Sequence, residues 1–336
     1  MKKTLTLLAL TISFSMNAQI STSFTTNSGV NSSAIGYETV ASAQSSTAIG
    51  ENTIASGMYS TAMGKSTNAD GVSSTATGYY STAMGNSTTA SGSSSTAMGS
   101  STTASGVFST AMGNGTMASS SYSTAMGRDT NAAGSYSTAM GWSTTASGES
   151  SIAMGKSTTA SGSRSTAMGV GTTASDYASL AIGLFNSSGF TATNAESFST
   201  SAPAFVIGNG NFIERSDAFK VMFNGDTTVS NDLTVSGDVV ISSDSRLKSN
   251  IVSLGSTLSK LLLIDGKSYE KDGKQRIGVL AQEIQEVFPE LVIEDGNEML
   301  AVNYQGLVPV LINALKEQQS EIDELKEMVQ KLVNRK

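Results

Sequence analysis

A short motif recurs twelve times along this 336-residue chain, and its fourteen-residue spacing constrains the fold more than any other feature. The motif is alanine, one further residue that is usually methionine or isoleucine, and glycine. Each unit has two similar halves: the first contains the motif, as in Ser60–Gly64, and the second resembles it, as in Ser66–Gly71. A glycine in every seven residues would cost a helix about 1 kcal/mol each, so the pattern excludes a coiled coil here and predicts strands that alternate with turns. The motif alanines are Ala34, Ala48, Ala62, Ala76, Ala83, Ala97, Ala111, Ala125, Ala139, Ala153, Ala167 and Ala181.

A fixed period of this kind predicts a solenoid, in which each coil buries its apolar side only when neighbours stack on it. Hydrogen-bonded strands lie about 4.8 Å apart, so a dozen coils would form a rod on the order of 55 Å long. The alanine and methionine recur almost unchanged, and we expect both to face the interior. The position after the motif glycine holds residues as different as Lys65, Trp142 and Val170, and we expect it to face solvent. Each glycine is expected in a turn with positive φ.

The motif alanines are spaced fourteen residues apart except between Ala76 and Ala83, where the step is seven. Because the two halves of a unit are so similar, we expect the coils to exchange them at this point, with a local irregularity. The residues available for the interior are small and give little apolar area per coil. We therefore expect several chains to associate.

Composition excludes several classes of function. The chain has neither cysteine nor histidine, which excludes disulfides, thiolate zinc sites and Ser-His-Asp catalysis, and we expect no metal and no cofactor. The formal net charge of −7 argues against a nucleic-acid partner. Of the 47 charged residues, 27 lie from Ser243 onward, which indicates a separate C-terminal domain.

The N-terminus has the pattern of an export signal. Lys2 and Lys3 precede an apolar run from Leu5 to Phe14 that is too short to cross a bilayer. We expect residues 1–18 to be a signal peptide that is cut after Ala18, and no membrane-spanning segment after its removal.

One column of aromatic residues could bind a partner. The residue before the repeated core is Phe108, Tyr122 and Tyr136 in three successive coils, and Tyr59 and Tyr80 have the same place nearby. Rings stacked about 5 Å apart would form an exposed ladder for a glycan or a protein. The alternative is a purely structural stack.

From Ser33 to Gly183, the repeats resemble the head of the trimeric autotransporter adhesins, whose units read as two Ser-x-Ala-x-Gly halves. The resemblance implies a left-handed parallel β-roll, three chains packed side by side, and binding to host matrix proteins, glycans or other cells. It also implies an exported protein that is extracellular or associated with the outer surface of a Gram-negative bacterium.

Residues 186–242 lose the period and become richer in β-branched and aromatic side chains, which predicts a β-rich neck. We expect strands at Ala204–Gly208, Ala218–Phe223, Thr227–Val229 and Leu233–Ile241. The last of these resembles the shafts of trimeric phage fibres.

The C-terminal region carries three ordered motifs, Ser243–Ile251, Ile277–Val292 and Val302–Pro309. Together they resemble the intramolecular chaperone of endosialidases and tail fibres. That family trimerises, folds the fibre before it and then cuts itself off. The resemblance implies that Ser243 is the nucleophile and Lys248 the proton acceptor, and that the bond between Ser242 and Ser243 is cut.

The residues themselves leave an alternative at this motif, in which Ser243 or Asp244 caps a helix that begins at Ser245. A lysine can act as a base only when burial or a cationic neighbour makes its amine easier to deprotonate. Arg246 and trimer packing could do so, whereas Asp244 would oppose it if it paired with Lys248. The direction in which Asp244 points is open at this stage.

The last segment predicts a coiled coil, because apolar residues fall at heptad positions a and d from Val308 onward. The number of three chains comes from the resemblance and not from this spacing. Glu321 could meet Lys326 of a neighbouring chain. The expected core residues are Leu315, Ile322, Leu325, Val329 and Leu332.

The predicted fold is mainly β and trimeric: a signal peptide at 1–18, a parallel β-roll solenoid of fourteen-residue repeats at 19–185, the neck at 186–242, and an α+β chaperone domain at 243–336 that ends in the coiled-coil helix. The predicted function is an exported adhesin-like fibre, a homotrimer whose one reaction is a single self-cleavage by a Ser/Lys dyad. The alternatives are a phage-type tail fibre, a polysaccharide-binding or polysaccharide-degrading fibre, and a structural trimer that does not cut itself.

Overall fold

The computed structural model describes residues 23–294 and 298–334, so the expected signal peptide lies outside the described residues. The chain divides into two compact units, with the boundary between Ser236 and Gly237. The first unit is a parallel β-solenoid with a short antiparallel end. The second is a small α+β domain with a long C-terminal helix. The architecture is mainly β, as the repeats predict.

Two parallel sheets form the sides of the solenoid, and strands of each coil alternate between them. Strands in adjacent coils pair in a register of fourteen residues, for example Thr96 with Thr110. Sheet 1 contains fifteen strands, Thr26–Asn27, Val40–Ala41, Ile54–Ala55, Asn68–Ala69, Thr82–Asn86, Thr96–Ser100, Thr110–Asn114, Thr124–Arg128, Thr138–Trp142, Ile152–Lys156, Thr166–Val170, Leu180–Leu184, Pro203–Asn209, Asp217–Met222 and Thr227–Val229. Sheet 2 contains eleven, Ser33–Tyr37, Thr47–Glu51, Thr61–Lys65, Thr75–Ala76, Thr89–Ala90, Thr103–Ala104, Met117–Ala118, Asn131–Ala132, Thr145–Ala146, Thr159–Ala160 and Thr173–Ala174.

The interior of the solenoid is thin and is filled by alanine, serine and threonine. An alanine is buried every seven residues from Ala34 to Ala181, and a buried serine or threonine precedes it by two residues throughout most of this run. Some of the buried hydroxyls donate to the carbonyl oxygen three residues earlier, as Ser46 does to Ala43 over 2.8 Å. Two sheets that meet through side chains this small lie close together, which leaves no room for longer residues.

The expectation that methionine faces the interior is wrong. In Ser81–Met84 the serine and Ala83 are buried, whereas Thr82 and Met84 alternate with them and are half-buried on the outer side of the strand. The outward residues form two apolar rows. The short row lies on sheet 2 and consists of Ile35, Ile49 and Met63. The long row lies on sheet 1 and consists of Met84, Met98, Met112, Met126, Met140, Met154, Met168 and Ile182.

The expectation of positive φ holds for only part of the glycines. Gly99 has φ +123°, and a Cβ there would lie 2.0 Å from the carbonyl oxygen of Gly113 in the next coil. Gly92 instead lacks a positive φ, and close approach alone requires it, since its Cβ would lie 2.0 Å from the carbonyl oxygen of Gly106. The left-handed turn positions are mostly held by other residues, including Ser94 with φ 55°.

At the short step between Ala76 and Ala83, the two halves of the unit exchange sheets, as the sequence predicts. The register stays at fourteen residues across it, with Thr61 beside Thr75 in sheet 2 and Asn68 beside Thr82 in sheet 1. The irregularity is that the five-residue strands lie in sheet 2 up to Lys65 and in sheet 1 from Thr82 onward.

The last coil is covered by the segment that follows it. Asp176 is fully buried and accepts hydrogen bonds from the backbone amides of Thr193 and Asn194, at 2.5 and 2.8 Å. Arg215 donates to the carbonyl oxygen of Gly171 over 2.9 Å. These contacts satisfy backbone groups that would otherwise be exposed at the end of the stack.

Three of the four strands expected in the neck are present, and they extend sheet 1. Pro203–Asn209 continues the parallel ladder, and Asp217–Met222 and Thr227–Val229 then add antiparallel strands. The expected strand at Leu233–Ile241 is wrong, because these residues form no strand and are exposed. Val240, for example, is 88% exposed, so residues 23–294 and 298–334 do not cover this segment.

The second unit packs around a small apolar core of Ile284, Phe288, Leu291 and Val310. Its helices are Leu258–Leu261, Ala281–Val287 and Leu307–Val333, with 3-10 turns at Ser245–Leu247, Pro289–Leu291 and Tyr304–Gly306. Its strands pair as two hairpins, Lys267–Lys271 with Lys274–Gly278 and Val292–Glu294 with Leu300–Val302. Within residues 23–294 and 298–334, no helix combines the length and the hydrophobicity that crossing a membrane would require.

Candidate functional site

The 3-10 turn Ser245–Leu247 brings together the two residues expected to carry out the self-cleavage. The turn reverses the chain, so that Lys248 at its end returns to Ser243 just before it. The Lys248 Nζ lies 2.7 Å from the Ser243 Oγ, which is a hydrogen bond. A neutral amine at this distance could accept the hydroxyl proton and leave a serine alkoxide next to the Ser242 carbonyl group.

Asp244 points to Arg246, which answers the question that the sequence left open. Its carboxylate accepts from the Arg246 backbone amide at 2.8 Å and from the guanidinium Nη2 at 2.6 Å. The side-chain hydrogen bond to Arg246, and then the backbone one, lower the pKa of Asp244, and the same pairing raises the pKa of Arg246. Asp244 therefore caps the turn, as the structural alternative proposed, and this cap coexists with the contact between Lys248 and Ser243.

The segment around the cleavage bond is exposed in the single chain. Every residue from Ser242 to Lys248 is solvent-exposed. The backbone is therefore accessible, and Lys248 is exposed rather than buried in the single chain. Arg246, the other expected influence on the lysine, has its charge balanced by Asp244. Of the two influences on Lys248 that the sequence suggests, Arg246 and trimer packing, only the packing of neighbouring chains could therefore still act.

The second and third motifs of this region contact each other in the folded domain. The Val279 backbone amide donates to the Tyr304 hydroxyl over 3.2 Å, and the Asn303 amide donates to the Leu291 carbonyl oxygen over 2.8 Å. The motifs are therefore parts of one core.

Glu317 is a residue of this domain that no sequence motif indicates. Its carboxylate accepts from the backbone amides of Thr257 and Leu258, at 2.7 and 3.1 Å, and from the Ser256 hydroxyl at 2.8 Å. The backbone hydrogen bond from Thr257, followed by the one from the Ser256 hydroxyl, lowers the pKa of Glu317. This carboxylate ties the start of the short helix Leu258–Leu261 to the C-terminal helix.

The C-terminal helix has two apolar faces. Val310 and Ala314 are buried against the domain, whereas the expected coiled-coil residues face solvent. Lys326, expected to meet Glu321 of another chain, pairs with Asp323 of its own chain over 3.0 Å. The exposed coiled-coil residues are Leu315, Ile322, Leu325, Val329 and Leu332, at 63%, 41%, 57%, 57% and 65% exposure.

The three central aromatic residues of the repeats form a stack. The rings of Phe108 and Tyr122 lie 5.1 Å apart with an interplanar angle of 14°, and those of Tyr122 and Tyr136 lie 4.9 Å apart at 2°. Tyr80 lies in the same column of turns, two coils earlier, whereas Tyr59 is out of phase by half a coil and belongs to the opposite column. The inner ring faces cover one another, so the side of the stack presents ring edges and hydroxyl groups.

Trp142 faces solvent, as expected for the position after the motif glycine, and it lies between two cations. The Arg128 guanidinium carbon is 5.5 Å and the Lys156 Nζ 4.4 Å from its ring centroid. These contacts stabilise the outer surface of the solenoid.

Comparison with known proteins assigns both parts of the chain. Ten overlapping matches to the YadA head domain repeat together span residues 28–186, and residues 243–293 match the chaperone of endosialidase. The chain is also 29% identical over 124 residues to the long tail fiber protein Gp37 of Escherichia phage AR1. That match covers 33% of this chain but 10% of the phage protein, so the chain spans about a tenth of that relative. The resemblances of the repeats and of the first two C-terminal motifs are confirmed, whereas the third motif, Val302–Pro309, lies outside the chaperone match.

Proposed function

We propose that this chain, which joins YadA head domain repeats to a chaperone-of-endosialidase domain, forms an exported trimeric adhesive fibre whose C-terminal domain aligns the chains and then cuts itself off before Ser243. The observation that carries the proposal is the 2.7 Å contact between the Lys248 Nζ and the Ser243 Oγ. This contact supports the roles proposed for Ser243, the first residue of the chaperone match, as nucleophile and for Lys248 as base.

Two exposed apolar surfaces support a trimer. The first is the long row, whose methionines are half-buried on the outer side of sheet 1. The second is the stripe of coiled-coil residues on the helix Leu307–Val333. Monomeric proteins rarely leave such continuous apolar surface in water, and copies of the same chain would cover it symmetrically.

Alignment by the C-terminal domain would compensate for the poor ability of the repeats to align separate chains. The same small residues recur every fourteen positions, so chains displaced by one coil would make nearly the same contacts. The solenoid therefore specifies register poorly. A domain that first brings three C-termini level would let the coils assemble in register from that end.

The cleavage chemistry needs Ser243 and Lys248 alone. The Lys248 amine takes the Ser243 hydroxyl proton while the Ser243 Oγ bonds to the Ser242 carbonyl carbon. The bond from that carbon to the Ser243 nitrogen breaks, and the nitrogen receives the proton from the lysine. Water then hydrolyses the resulting ester, which releases a carboxylate at Ser242 and a chaperone that begins with Ser243. In the proposed trimer, neighbouring chains would bury Lys248, which is the change that lets a lysine act as a base.

The adhesive surface would be the outside of the solenoid at the extracellular or outer surface, with a host matrix protein, a glycan or another cell as partner. The stack of Phe108, Tyr122 and Tyr136 is the candidate contact. Because the inner ring faces are covered, it would offer edges and hydroxyl groups for hydrogen bonds. This favours a polar partner over one that needs an open aromatic face.

The test is the mass of the protein under denaturing conditions. We expect the wild type to give two pieces that meet between Ser242 and Ser243, and Ser243→Ala and Lys248→Met to give one full-length chain. Ser245→Ala, in the same exposed turn, and Lys274→Met, on an exposed hairpin, are matched controls that should be cut. Light scattering before denaturation should give the mass of three chains.

Cleavage in Ser243→Ala would refute the assigned nucleophile. An uncut wild-type trimer would support the non-cleaving structural trimer instead. The match to a phage long tail fiber protein favours a second candidate, a phage-type tail fibre. The two differ at the N-terminus, because an exported fibre should lose its leader and a phage fibre should retain it, which the same mass measurement reports.

A further inference from the structure

The half-unit step moves the apolar row from one side of the solenoid to the other. Along most of the repeats, a heptad with the Thr-Ala-Met-Gly or Thr-Ala-Ile-Gly pattern alternates with a more polar heptad. The heptad Ser74–Tyr80 breaks this alternation. Thr77 replaces its methionine, and another Thr-Ala-Met-Gly heptad follows it directly. The register continues through this point without a break in either sheet. The short row therefore ends on sheet 2 and the long row begins on sheet 1, on the opposite side.

The two rows differ in size and in surroundings. At about 4.8 Å per coil, the long row extends roughly 34 Å and the short row roughly 10 Å. Met63, at the end of the short row, is 41% exposed. In the same early coils, sheet 1 carries Ser42, Ser56 and Asp70 in the column that the long row later occupies.

A rigid solenoid cannot direct both rows to one axis. If three chains pack through their long rows, as the proposed function requires, apolar side chains meet apolar side chains along sheet 1. Sheet 2 then faces away from the axis, and each trimer carries three short rows on its outer surface.

We propose that the short row is a contact site for a second copy of the fibre, so that trimers associate side by side through Ile35, Ile49 and Met63. This inference rests on the proposed trimer. The short row repeats the residues and spacing of the long row, so it matches the surface that the long row itself packs against.

Charge next to the short row permits such a contact. Two residues further along the same strands, Glu51 and Lys65 form an ion pair of 3.0 Å, which neutralises that edge. Three side chains per chain give a weak interface, far below the area of a stable complex. The three copies on a trimer face different directions, so each trimer can contact up to three neighbours. We therefore expect association that depends on concentration.

The test measures particle mass against protein concentration by sedimentation velocity, on the exported protein. We expect wild-type trimers to form multiples of a trimer as concentration rises. Ile49→Thr with Met63→Thr should raise the concentration of half-association at least tenfold and leave the trimer intact. The matched pair Met126→Thr with Met140→Thr, in the long row, should weaken the trimer instead.

Deletion of residues 74–80 gives a second, independent variant, because it removes the extra heptad and places both rows on sheet 2. This protein should remain a trimer and lose the larger species. A wild type that stays a single trimer at every concentration would overturn the proposal, as would dissociation of the trimer by the short-row pair. A monomeric wild type would instead refute the proposed trimer, and this contact with it.

Discussion

Individual polar residues in the chaperone domain act by holding short turns in place. Asp244 holds Arg246 and closes the turn that returns Lys248 to Ser243. Glu317 does the same for the start of the helix Leu258–Leu261. In both cases the ionised carboxylate accepts with both oxygens and more strongly than the protonated acid would, so we expect the local structure to depend on pH.

Glu317 gives a test of this dependence. Its pKa is lowered in the folded chain, so its contribution to stability is complete above the ordinary glutamate pKa of about 4.3 and is lost as the pH falls through the lowered value. We expect the Thr257 and Leu258 amides to be protected from hydrogen exchange at pH 7 and to lose much of that protection in acid. Glu317→Gln should reduce protection already at pH 7.

Glu321→Gln, one turn further along the same helix and exposed, is the control and should leave both amides protected. Equal protection in the wild type and in Glu317→Gln at pH 7 would show that the carboxylate does not hold this helix start.

At the scale of the strands and turns, the solenoid depends on close approach of successive coils. Gly99 combines a φ of +123° with a Cβ position only 2.0 Å from the Gly113 carbonyl oxygen. Gly225 has a φ of +95° but open space around its Cβ position. Substitutions at Gly99 and Gly225 therefore distinguish the cost of backbone strain alone from the cost of strain plus a clash between coils.

We predict that Gly99→Ala destabilises the solenoid by about 3 kcal/mol or more, because it adds a clash between coils to the strain of a disfavoured φ. Gly225→Ala adds only the strain and should cost about 1 kcal/mol. The measurement is the thermal unfolding midpoint followed by the β-sheet circular dichroism signal. Similar shifts for the two variants would contradict the role of coil contact.

The sequence predicts those elements whose cause is local and periodic. An alanine every seven residues fixes the register of both sheets, and the near identity of the two halves predicts the exchange after Ala76. The same repetition could not show which side of the strand Met84 occupies, because an outward residue that every coil repeats recurs as regularly as an inward one. Leu233–Ile241 alternates like a strand but pairs with no strand among the residues that the structure describes.

The candidate site likewise contains one feature that the sequence predicts and one that it does not. The spacing of Ser243 and Lys248 came from the motif, and the structure adds that a single 3-10 turn suffices to join them. The role of Glu317 could not be predicted, because its partners lie about sixty residues earlier in the sequence. No periodic pattern signals such a contact.

At the scale of the whole molecule, the repetitive rod and the chaperone domain have complementary physical properties. The rod makes many equivalent contacts, so it specifies the alignment of one chain against another only weakly. The chaperone domain has a unique core and an exposed helical stripe through which chains could be aligned. If the proposed trimer forms, every coil holds its neighbours, and we expect unfolding to be slow and the proposed aligning domain to be needed no longer.

If the proposed cleavage occurs, we expect folding to be irreversible after it. We expect the cleaved rod, separated from its chaperone, to recover little trimer after denaturation in guanidinium and dilution, because its chains pair out of register. Full-length Ser243→Ala, treated identically, should recover several times more trimer by light scattering, since each chain still carries the domain that aligns it. Equal recovery from the two proteins would show that the repeats find their register unaided, and the purpose assigned to the chaperone domain would then be wrong.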